Sequence, residues 1–519
     1  MANNQFEKYS SIPQEKFAFA AQGTNIHDQK LDTKPIGYFR DAFNRFKKNK
    51  ASLVAAIIIL LLVVYAIIGP FCFDPAYQEA YKTEIMLKNF KELPPRLAFM
   101  KGTGIWDGSK VEELTRTQLY HYEGLTAELG HEVIVDVVGE HTVTDLFGNE
   151  KTLYDVRLDQ YYKIGVITKT MTYADYKAIQ DWQVENGIQV IFPWVDSTNC
   201  PIFTSVPDYW FKCDQRGNPV LDDEGNFIPA YAKTGKDDYN STRLANDPAN
   251  NGERGWDYSK RGGAAGAYNY TVRLSAYNYF IYKFGYEPSF AFGTDSSGYD
   301  IFSRLASGAR FSFILAIIVS VINLTIGALY GAIEGYYGGV VDIAMERFSD
   351  ILSGVPFTVV TVLFQLHLAA KVGVVGSLIF AFVLTGWIGM ASRVRMQFYR
   401  FKNQEYVLAA RTLGASDWRI IWKHIFPNSL GTIITGSILV IPGVIFSETS
   451  LSYLGIINLD SATMSSVGTM LSLGQKVMTS SPHVVLFPAL FIALLEISFN
   501  LFGNGLRDAF NPSLRGSEE

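Results

Sequence analysis

The chain has 519 residues, of which 48% are hydrophobic and 18% are charged, with a net charge of -5 at pH 7. This composition lies between those of soluble and membrane proteins, and the length exceeds that of one ordinary domain. The charge balance argues against a nucleic-acid partner, because phosphate recognition needs an excess of basic residues. The three cysteines are not spaced as zinc ligands, so we expect no metal site and no cofactor on this chain.

Residues 1–50 form a polar N-terminal segment that ends in a predicted interfacial helix. Phe39, Phe43 and Phe46 recur there at helical spacing among basic residues, which suits a helix lying on a membrane surface. Residues 51–70 follow as an almost unbroken apolar stretch, close to the roughly 20 residues that cross a bilayer. Because basic residues precede this stretch, the N-terminus is predicted to be cytoplasmic.

Residues 71–292 are acidic, rich in Tyr and Gly, and contain no further apolar span. We predict that they form an α+β domain outside the membrane, with strands near 131–138 and 188–192. A helix is predicted from Tyr173 to Asn186, with Thr172 as N-cap and Gly187 just past its end. The pattern Asp-x-x-Gly-Asn occurs at 145–149, 214–218 and 222–226, and it predicts hairpin turns rather than calcium loops.

Two of the cysteines belong to this outer region. Cys200 and Cys213 flank a short aromatic segment, and the region is predicted to face an oxidising compartment. A disulfide between them is therefore possible, and a pair of free thiols is the alternative that the sequence leaves open.

Residues 293–503 contain five further apolar stretches, at about 311–333, 352–369, 372–391, 430–446 and 483–502. With the first span they make six. Both termini, including the tail at 504–519, are then cytoplasmic, as is the loop at 405–427, which lies beside several basic residues.

The loop at 405–427 has the pattern of a helix, a break and a second helix. Ala409, Ala410 and Leu413 can share one helix face, and Gly414 permits a sharp break. A second amphipathic turn begins at Trp418, and we expect Pro427 to end it. A short helix of this kind suits docking into a groove of another protein, and an ordinary loop is the alternative.

The same loop resembles the EAA motif of ABC importer permeases through Leu408-Ala409-Ala410, Gly414 and His424-Ile425-Phe426-Pro427. Three more stretches resemble the C-type permeases of oligopeptide and dipeptide importers, namely residues 293–310, 447–455 and 500–515. Leu408 replaces the Glu of the motif, and Tyr299 replaces an Arg of this branch. The resemblance covers the first span and everything after about Gly293, but not the domain between them.

The resemblance implies an all-α polytopic membrane domain, the type I ABC importer permease fold with six transmembrane helices, and an α+β extracytoplasmic domain inserted between the first and second spans. It implies a permease subunit, not an enzyme, that moves oligopeptides through a bacterial plasma membrane. ATP and Mg would lie on two partner ATPase subunits at the cytoplasmic face, since the sequence has no Gly-x4-Gly-Lys-Ser/Thr loop. The other expected partners are a homologous second permease subunit, an extracytoplasmic peptide-binding protein and membrane lipid.

Two sets of functional residues are predicted. The residues expected to couple to the ATPase are Glu405, Ala409, Ala410, Arg411, Leu413, Gly414, Ala415, Asp417 and Trp418. The candidate pathway-lining residues are Asn323, Ser447, Glu448 and Ser450, because polar groups in lipid usually face a cavity or a partner.

Three features in or near the spans have a structural interpretation that does not involve transport. Glu448 could equally cap its helix, and Glu334 is expected to reach water at a helix end. Glycines at 327, 331, 335 and 339 recur at every fourth position, which predicts close helix packing.

Two other functions fit part of the sequence. The large outer region suits a membrane-anchored receptor that binds a ligand there, and the spans alone suit a passive channel. The receptor is the weaker interpretation, because no effector domain follows Leu506 and the helix-Gly-helix loop would have no evident use. Stable ATPase partners would favour the importer over both.

Overall fold

The computed structural model describes residues 38–71, 85–144, 148, 150–232, 258–262, 268–459 and 465–510. The first two helices are α1 (Tyr38–Lys48) and α2 (Lys50–Ile68). We call the segment between the first two long apolar helices the insert. Its helices are α3 (Arg116–Leu129), α4 (Tyr173–Asn186) and α5 (Ala276–Phe284).

The insert contains two antiparallel sheets. Their strands are β1 (Ser109–Leu114), β2 (Ile134–Thr144), β3 (Glu150–Asp159), β4 (Val166–Met171), β5 (Ile191–Phe192), β6 (Tyr258–Gly262) and β7 (Tyr268–Ser275). The first sheet has the order β1-β3-β2, with Ser109 opposite Asp159. In the second sheet β7 is central, pairing with β4, β5 and β6, and Val166 lies opposite Ser275.

Several local predictions for the insert are confirmed. Helix α4 has the predicted bounds, with the Thr172 side chain accepting from the backbone N–H of Asp175 and Gly187 in the left-handed region. The turns at 214–218 and 222–226 close through backbone hydrogen bonds, as hairpin turns do. The strand predicted at 131–138 begins later, at Ile134, and the one predicted at 188–192 is only two residues long. Most of the turn predicted at 145–149 lies outside the described residues.

The remaining helices build the apolar bundle. They are α6 (Ile301–Tyr337), α7 (Gly339–Ser353), α8 (Phe357–His367), α9 (Ala369–Gly386), α10 (Ile388–Phe401), α11 (Glu405–Thr412), α12 (Asp417–Arg419), α13 (Phe426–Ile438), α14 (Val440–Tyr453), α15 (Val467–Gln475) and α16 (His483–Phe510). A π-helical turn at Ile420–Ile425 joins α12 to α13.

Five stretches of helix among the described residues are long and apolar enough to cross a membrane, at 50–71, 301–337, 369–401, 417–453 and 483–510. A sixth arises if α7 and α8 count together, although they meet at an angle of 71°. The single span predicted at 352–369 is therefore corrected, because the helix breaks before Pro356. Proline disfavours helical geometry in the residue that precedes it.

Helices α6 and α10 pack closely along the predicted glycine stripe. A Cβ at Gly331 would lie 2.1 Å from the Ala391 carbonyl oxygen, and one at Gly335 would lie 2.8 Å from that of Arg395. Gly327 meets α10 in the same way, so these three glycines fulfil the packing prediction. Gly339 does not, since a Cβ at that position would meet no atom of another residue within 4 Å.

The insert and the loop at 405–427 lie at opposite ends of the bundle. The insert contacts the segment before α16, where the Lys110 ammonium donates to the Ser480 carbonyl oxygen at 2.8 Å. The loop instead contacts the far end of α6, at Tyr336. Helix α6 has 37 residues, which corresponds to a length of about 55 Å. The two features are therefore separated by most of the length of α6.

Candidate functional site

Residues 405–427, which we call the coupling loop, form two helices joined by a sharp turn. Helix α11 ends at Thr412 and α12 begins at Asp417. Between them Gly414 has φ of +81°, a conformation that is easy for glycine and strained for other L-residues. The predicted break at Gly414 is therefore confirmed.

The tip of this loop exposes large apolar side chains. Leu413 is 88% exposed, Trp418 is 61% exposed and Leu408 is 44% exposed. We call these three residues the coupling surface. Glu405, Ala409, Arg411 and Asp417 are also exposed, and Ala410 and Ala415 are half-buried. Exposed apolar residues that cluster in this way mark an interaction site more often than a free surface.

The base of the loop is anchored in the bundle. Val407 is fully buried, as are Ile420 and Ile425, and all three belong to one apolar cluster with Val394 and Phe398 of α10. Val407 was not singled out from the sequence, although it is the residue that fastens α11. The loop thus presents a fixed surface rather than a flexible one.

A hydrogen bond also links the loop to the end of α6. The Tyr336 hydroxyl donates to Asp417 Oδ1 at 2.5 Å, and Arg411 Nη2 donates to the same hydroxyl oxygen at 3.5 Å. Two predicted coupling residues therefore meet at one tyrosine that the sequence analysis missed. These hydrogen bonds join the coupling loop to α6.

Pro427 does not end the second helix, contrary to the prediction. Helical structure continues through it, so the stretch from Asp417 to Tyr453 counts as one long apolar helix. The π turn just before Pro427 is the reason. There the Phe426 N–H bonds to the Ile421 carbonyl oxygen, five residues back, and this wider turn accommodates a residue that has no N–H to donate.

A second network, next to the loop, surrounds Arg395. Its guanidinium lies 2.5 Å from Asp342 Oδ1 and 2.9 Å from Glu346 Oε1, and Glu334 Oε1 is 3.5 Å away. Glu334 is only 3% exposed, so the expectation that it reaches water is wrong. A buried carboxylate needs a charge partner, and Arg395 provides one. In the sequence, this network is indicated by the four-residue spacing of Asp342 and Glu346, which makes their side chains neighbours on one helix face.

Among the predicted pathway residues, Glu448 is enclosed by protein. It is fully buried inside α14, where it accepts hydrogen bonds from the hydroxyls of Ser312 and Ser452, each at 2.9 Å. It therefore lies within its helix rather than at the helix end, so it does not cap it, and its lining of a pathway stays a prediction. Its polar neighbours explain how a carboxyl group is tolerated among apolar helices.

The other three predicted pathway residues do not meet at one site. Asn323 is 3% exposed, and its Oδ1 has no hydrogen-bond partner among the residues that the structure describes. Ser447 and Ser450 are half-buried on α14, and the Ser450 hydroxyl donates to its own helix at the Phe446 carbonyl oxygen. Their lining of a pathway stays a prediction.

The two cysteines of the insert lie side by side. Cys200 Sγ and Cys213 Sγ are both buried and are 3.4 Å apart, without a bond between them. The two segments that carry them are joined by the hydrogen bond from the Cys213 N–H to the Asn199 carbonyl oxygen. Their pairing as a disulfide stays a prediction.

We expect the mature protein to contain this disulfide, and mass spectrometry can test it. Burial raises the pKa of the Cys200 thiol to about 12, so a free thiol would react slowly in the native state. The protein is therefore denatured before alkylation, with and without reductant. Two alkyl groups at Cys200 and Cys213 in the sample without reductant would show that the thiols are free.

One group of side chains in the described part of the chain has a spacing compatible with a metal ion. Glu113, His141 and Asp155 bring one ligand atom each to within 4.8 Å of one another on the first sheet. His141 Nδ1 and Asp155 Oδ2 already pair at 3.2 Å. We assign no ion to them, because all three lie on an open face where paired charges are common.

Two family models match the chain. Residues 324–516 match the model described as a binding-protein-dependent transport system inner membrane component, and residues 37–95 match the N-terminal TM domain of oligopeptide transport permease C. The coupling loop lies within the first match. Neither match includes residues 96–323, which contain most of the insert.

Curated relatives agree with these models. The chain is 44% identical to the oligopeptide transport system permease protein OppC of Bacillus subtilis over 224 residues, which are 43% of this chain and 72% of that protein. It is 43% identical to OppC of Haemophilus influenzae, over 43% of this chain and 70% of that protein. It is 41% identical to the dipeptide permease DppC of Bacillus subtilis, over 43% of this chain and 69% of that protein.

A solved structure of the methionine ABC transporter MetNI matches 39% of this chain and 96% of that chain. The TM-score is 0.31 and the identity is 14%, a likeness too weak to bear on the fold.

Proposed function

The chain belongs to the oligopeptide and dipeptide permeases of the ABC importers, a family of multi-pass plasma-membrane proteins, and on that premise we propose that it moves oligopeptides into the cell with energy from ATP hydrolysed on partner subunits. Its named relatives are permeases rather than ATPases. We propose that this subunit likewise has no catalytic site, and that ATP and Mg bind to two partner ATPases.

The observation that supports this proposal is the coupling surface. Leu413 and Trp418 stand exposed on a loop whose base is buried in the bundle. An apolar anchor on a rigid support is the arrangement found at the centre of protein interfaces. We propose that this surface sits in a groove of an ATPase subunit, together with the other predicted coupling residues.

The connections of the loop suggest how force enters the membrane helices. On one side the loop continues without interruption into the helix that ends at Tyr453. On the other side Asp417 is bound by Tyr336 of α6. When two ATPases close, a rigid displacement of the loop would therefore move both helices together. Glu448 lies near the far end of the first of them.

We also propose a membrane orientation and the domain boundaries that follow from it. The coupling loop, the N-terminal segment (1–50) and the tail (504–519) are cytoplasmic, and the α+β insert (71–292) is outside. Residues 51–70 form the first span and 293–503 the permease core. The basic residues beside the coupling loop favour this orientation, and the opposite positions of the loop and the insert support it.

The remaining partners follow from the same proposal. A homologous second permease subunit would complete the pathway, which then lies between the two subunits. An external peptide-binding protein would deliver the oligopeptide, and the insert is the part of this chain that extends furthest towards it. Membrane lipid surrounds the exposed apolar faces of α2 and α6.

Purification of the full chain from its native membrane in mild detergent tests the proposal. We expect a second permease, two ATPase subunits and bound peptide, identified by mass spectrometry. Reconstituted vesicles should take up peptide against a gradient with ATP when the whole assembly is present. Uphill uptake by this chain alone would contradict the proposal, and stable isolation without any ATPase would favour a receptor or a passive channel.

A further inference from the structure

A polar cavity lies between three helices of the bundle, at the end that carries the coupling loop. Its volume is about 340 Å³. It is lined by α10, α13 and the last turns of α16, through Arg393, Gln397, Arg400, Thr432, Thr435 and Arg507, with Gly436, Leu439 and Phe510. The proposed transport function gives this cavity no role.

Three exposed arginines from two different helices line this cavity. Arg393 and Arg400 come from α10, and Arg507 comes from α16. Within the described part of the chain, none of the three forms an ion pair with a carboxylate. Other arginines of the bundle are paired, as Arg304 is with Asp295 and Arg395 is with Asp342. Among the residues that the structure describes, no carboxylate therefore balances the positive charge around the cavity.

One of the three arginines is held in place by the backbone. Arg393 Nη1 donates to the Gly436 carbonyl oxygen at 3.1 Å. A Cβ at position 436 would lie 3.1 Å from the same nitrogen, so glycine there leaves room for the guanidinium. Basic residues at the cytoplasmic ends of spans are common. Here three of them line one cavity together with Thr432 and Thr435.

We propose that this cavity binds a phosphate group. Guanidinium groups present several N–H donors in a planar fork, which matches the oxygens of phosphate better than an ammonium does. Thr432 adds a hydroxyl donor, whereas the Thr435 hydroxyl already donates to the Gly431 carbonyl oxygen. Leu439 and Phe510 provide an apolar wall. The phosphate belongs either to the headgroup of an anionic lipid, whose glycerol region would meet that wall, or to a soluble phosphate from the cytoplasm.

Occupancy of the site would affect the bundle next to the coupling loop. The bound anion would neutralise three like charges and join α10, which leads into the loop, to α13, which leads out of it, and to α16. It would therefore brace the helices that flank the loop. The inference goes beyond the proposed transport function, because it requires no ATPase and no peptide.

The test compares thermal unfolding of the full chain, with any co-purified subunits, in three kinds of nanodisc. The first contains phosphatidylcholine alone, the second has added phosphatidylglycerol, and the third is phosphatidylcholine with inorganic phosphate in the buffer. We expect the Tm to rise by about 2 °C or more with one phosphate source, since a ligand that binds only the folded state stabilises it. A rise with phosphatidylglycerol identifies a lipid headgroup, and a rise with inorganic phosphate identifies a soluble ligand.

The variant Arg393→Gln/Arg400→Gln/Arg507→Gln should abolish this rise. Arg347→Gln is the matched control, because Arg347 is an exposed arginine of the same bundle away from the cavity, and it should keep the rise. If the triple variant does not fold, Arg507→Gln alone replaces it, because this variant leaves the hydrogen bond from Arg393 to the Gly436 carbonyl oxygen in place. Arg507→Gln should reduce retention of the phosphate ligand about tenfold in native mass spectrometry.

Two results would overturn the inference. They are the absence of any rise in the wild-type protein and an equal rise in the triple variant. Neither bears on ATP-driven uptake, so the experiment tests the phosphate site independently of the transport function.

Discussion

Gly414→Pro should uncouple ATP hydrolysis from peptide uptake while the permease remains in the membrane. Proline fixes φ near -65°, whereas position 414 requires +81°. It also removes the N–H that Gly414 donates to the Arg411 carbonyl oxygen at 3.0 Å. The turn must then rebuild, and Leu413 and Trp418 leave their positions at the tip of the loop.

The expected loss of uptake is about 30-fold or more. A displaced anchor residue at an interface typically costs about 2 kcal/mol or more, which corresponds to that factor in affinity. Uptake and ATP hydrolysis are measured on the same vesicles, with membrane insertion checked by the yield of purified protein. Uptake at the wild-type rate by Gly414→Pro would show that the coupling loop does not transmit the movement.

Gly414→Asn is the matched control at the same position. Asparagine adopts positive φ more readily than other residues with a side chain, and no atom lies within 4 Å of a Cβ at 414. The variant should therefore keep the turn and most of the uptake. A comparable loss in both variants would instead indicate that the open space around Gly414, rather than its backbone conformation, is what the ATPase contact requires.

Arg273→Met should destabilise the insert more than any substitution of its surface. The Arg273 guanidinium is fully buried, and its Nη1 and Nη2 each donate to the Glu128 carboxylate at 2.8 Å. It also donates to the carbonyl oxygens of Pro193 and Pro207. Its removal leaves a buried carboxylate without a counter-charge, and the free energy of unfolding should fall by about 3 to 5 kcal/mol.

The measurement is limited proteolysis of the full chain in increasing urea, with cleavage scored in the insert. Arg216→Met is the control, because Arg216 is an exposed arginine of the same region, and its unfolding should be unchanged. The double variant Arg273→Met/Glu128→Leu should recover most of the loss, since an apolar pair of similar volume often replaces a buried ion pair without cost. A double variant as unstable as Arg273→Met would refute the assignment of the loss to the unpaired carboxylate.

The Gly414 and Arg273 predictions concern opposite ends of the molecule, namely the coupling loop and the insert. We propose that the coupling loop transmits movement, and its turn has Gly414 at a positive φ. In the insert, a buried ion pair joins α3 to β7 across 145 residues of sequence. A variant that unfolds the insert but keeps ATP-coupled uptake would show that the insert has no part in the transport cycle.

Much of the molecule was predictable from the sequence because its signals are local. The apolar stretches were recognised from their length, and helix α4 was recognised from its N-cap and its terminal glycine. The break at Gly414 and the close packing of Gly327, Gly331 and Gly335 also followed from residues a few positions apart. The family membership rests on the same kind of signal, since its motifs are short and ordered.

The tertiary structure decided what depends on partners that are distant in the sequence. Arg395 was one of several basic residues near a helix end until the fold placed it against Asp342 and Glu346, and Glu448 acquired Ser312 from another helix. Pro427 was expected to stop a helix, but the π turn beside it allows the helix to continue. The physical reason is the same in each case. Periodicity and capping report which face of a segment is buried, whereas charge pairing and cavity formation depend on which segments meet, and this is settled only when the helices pack.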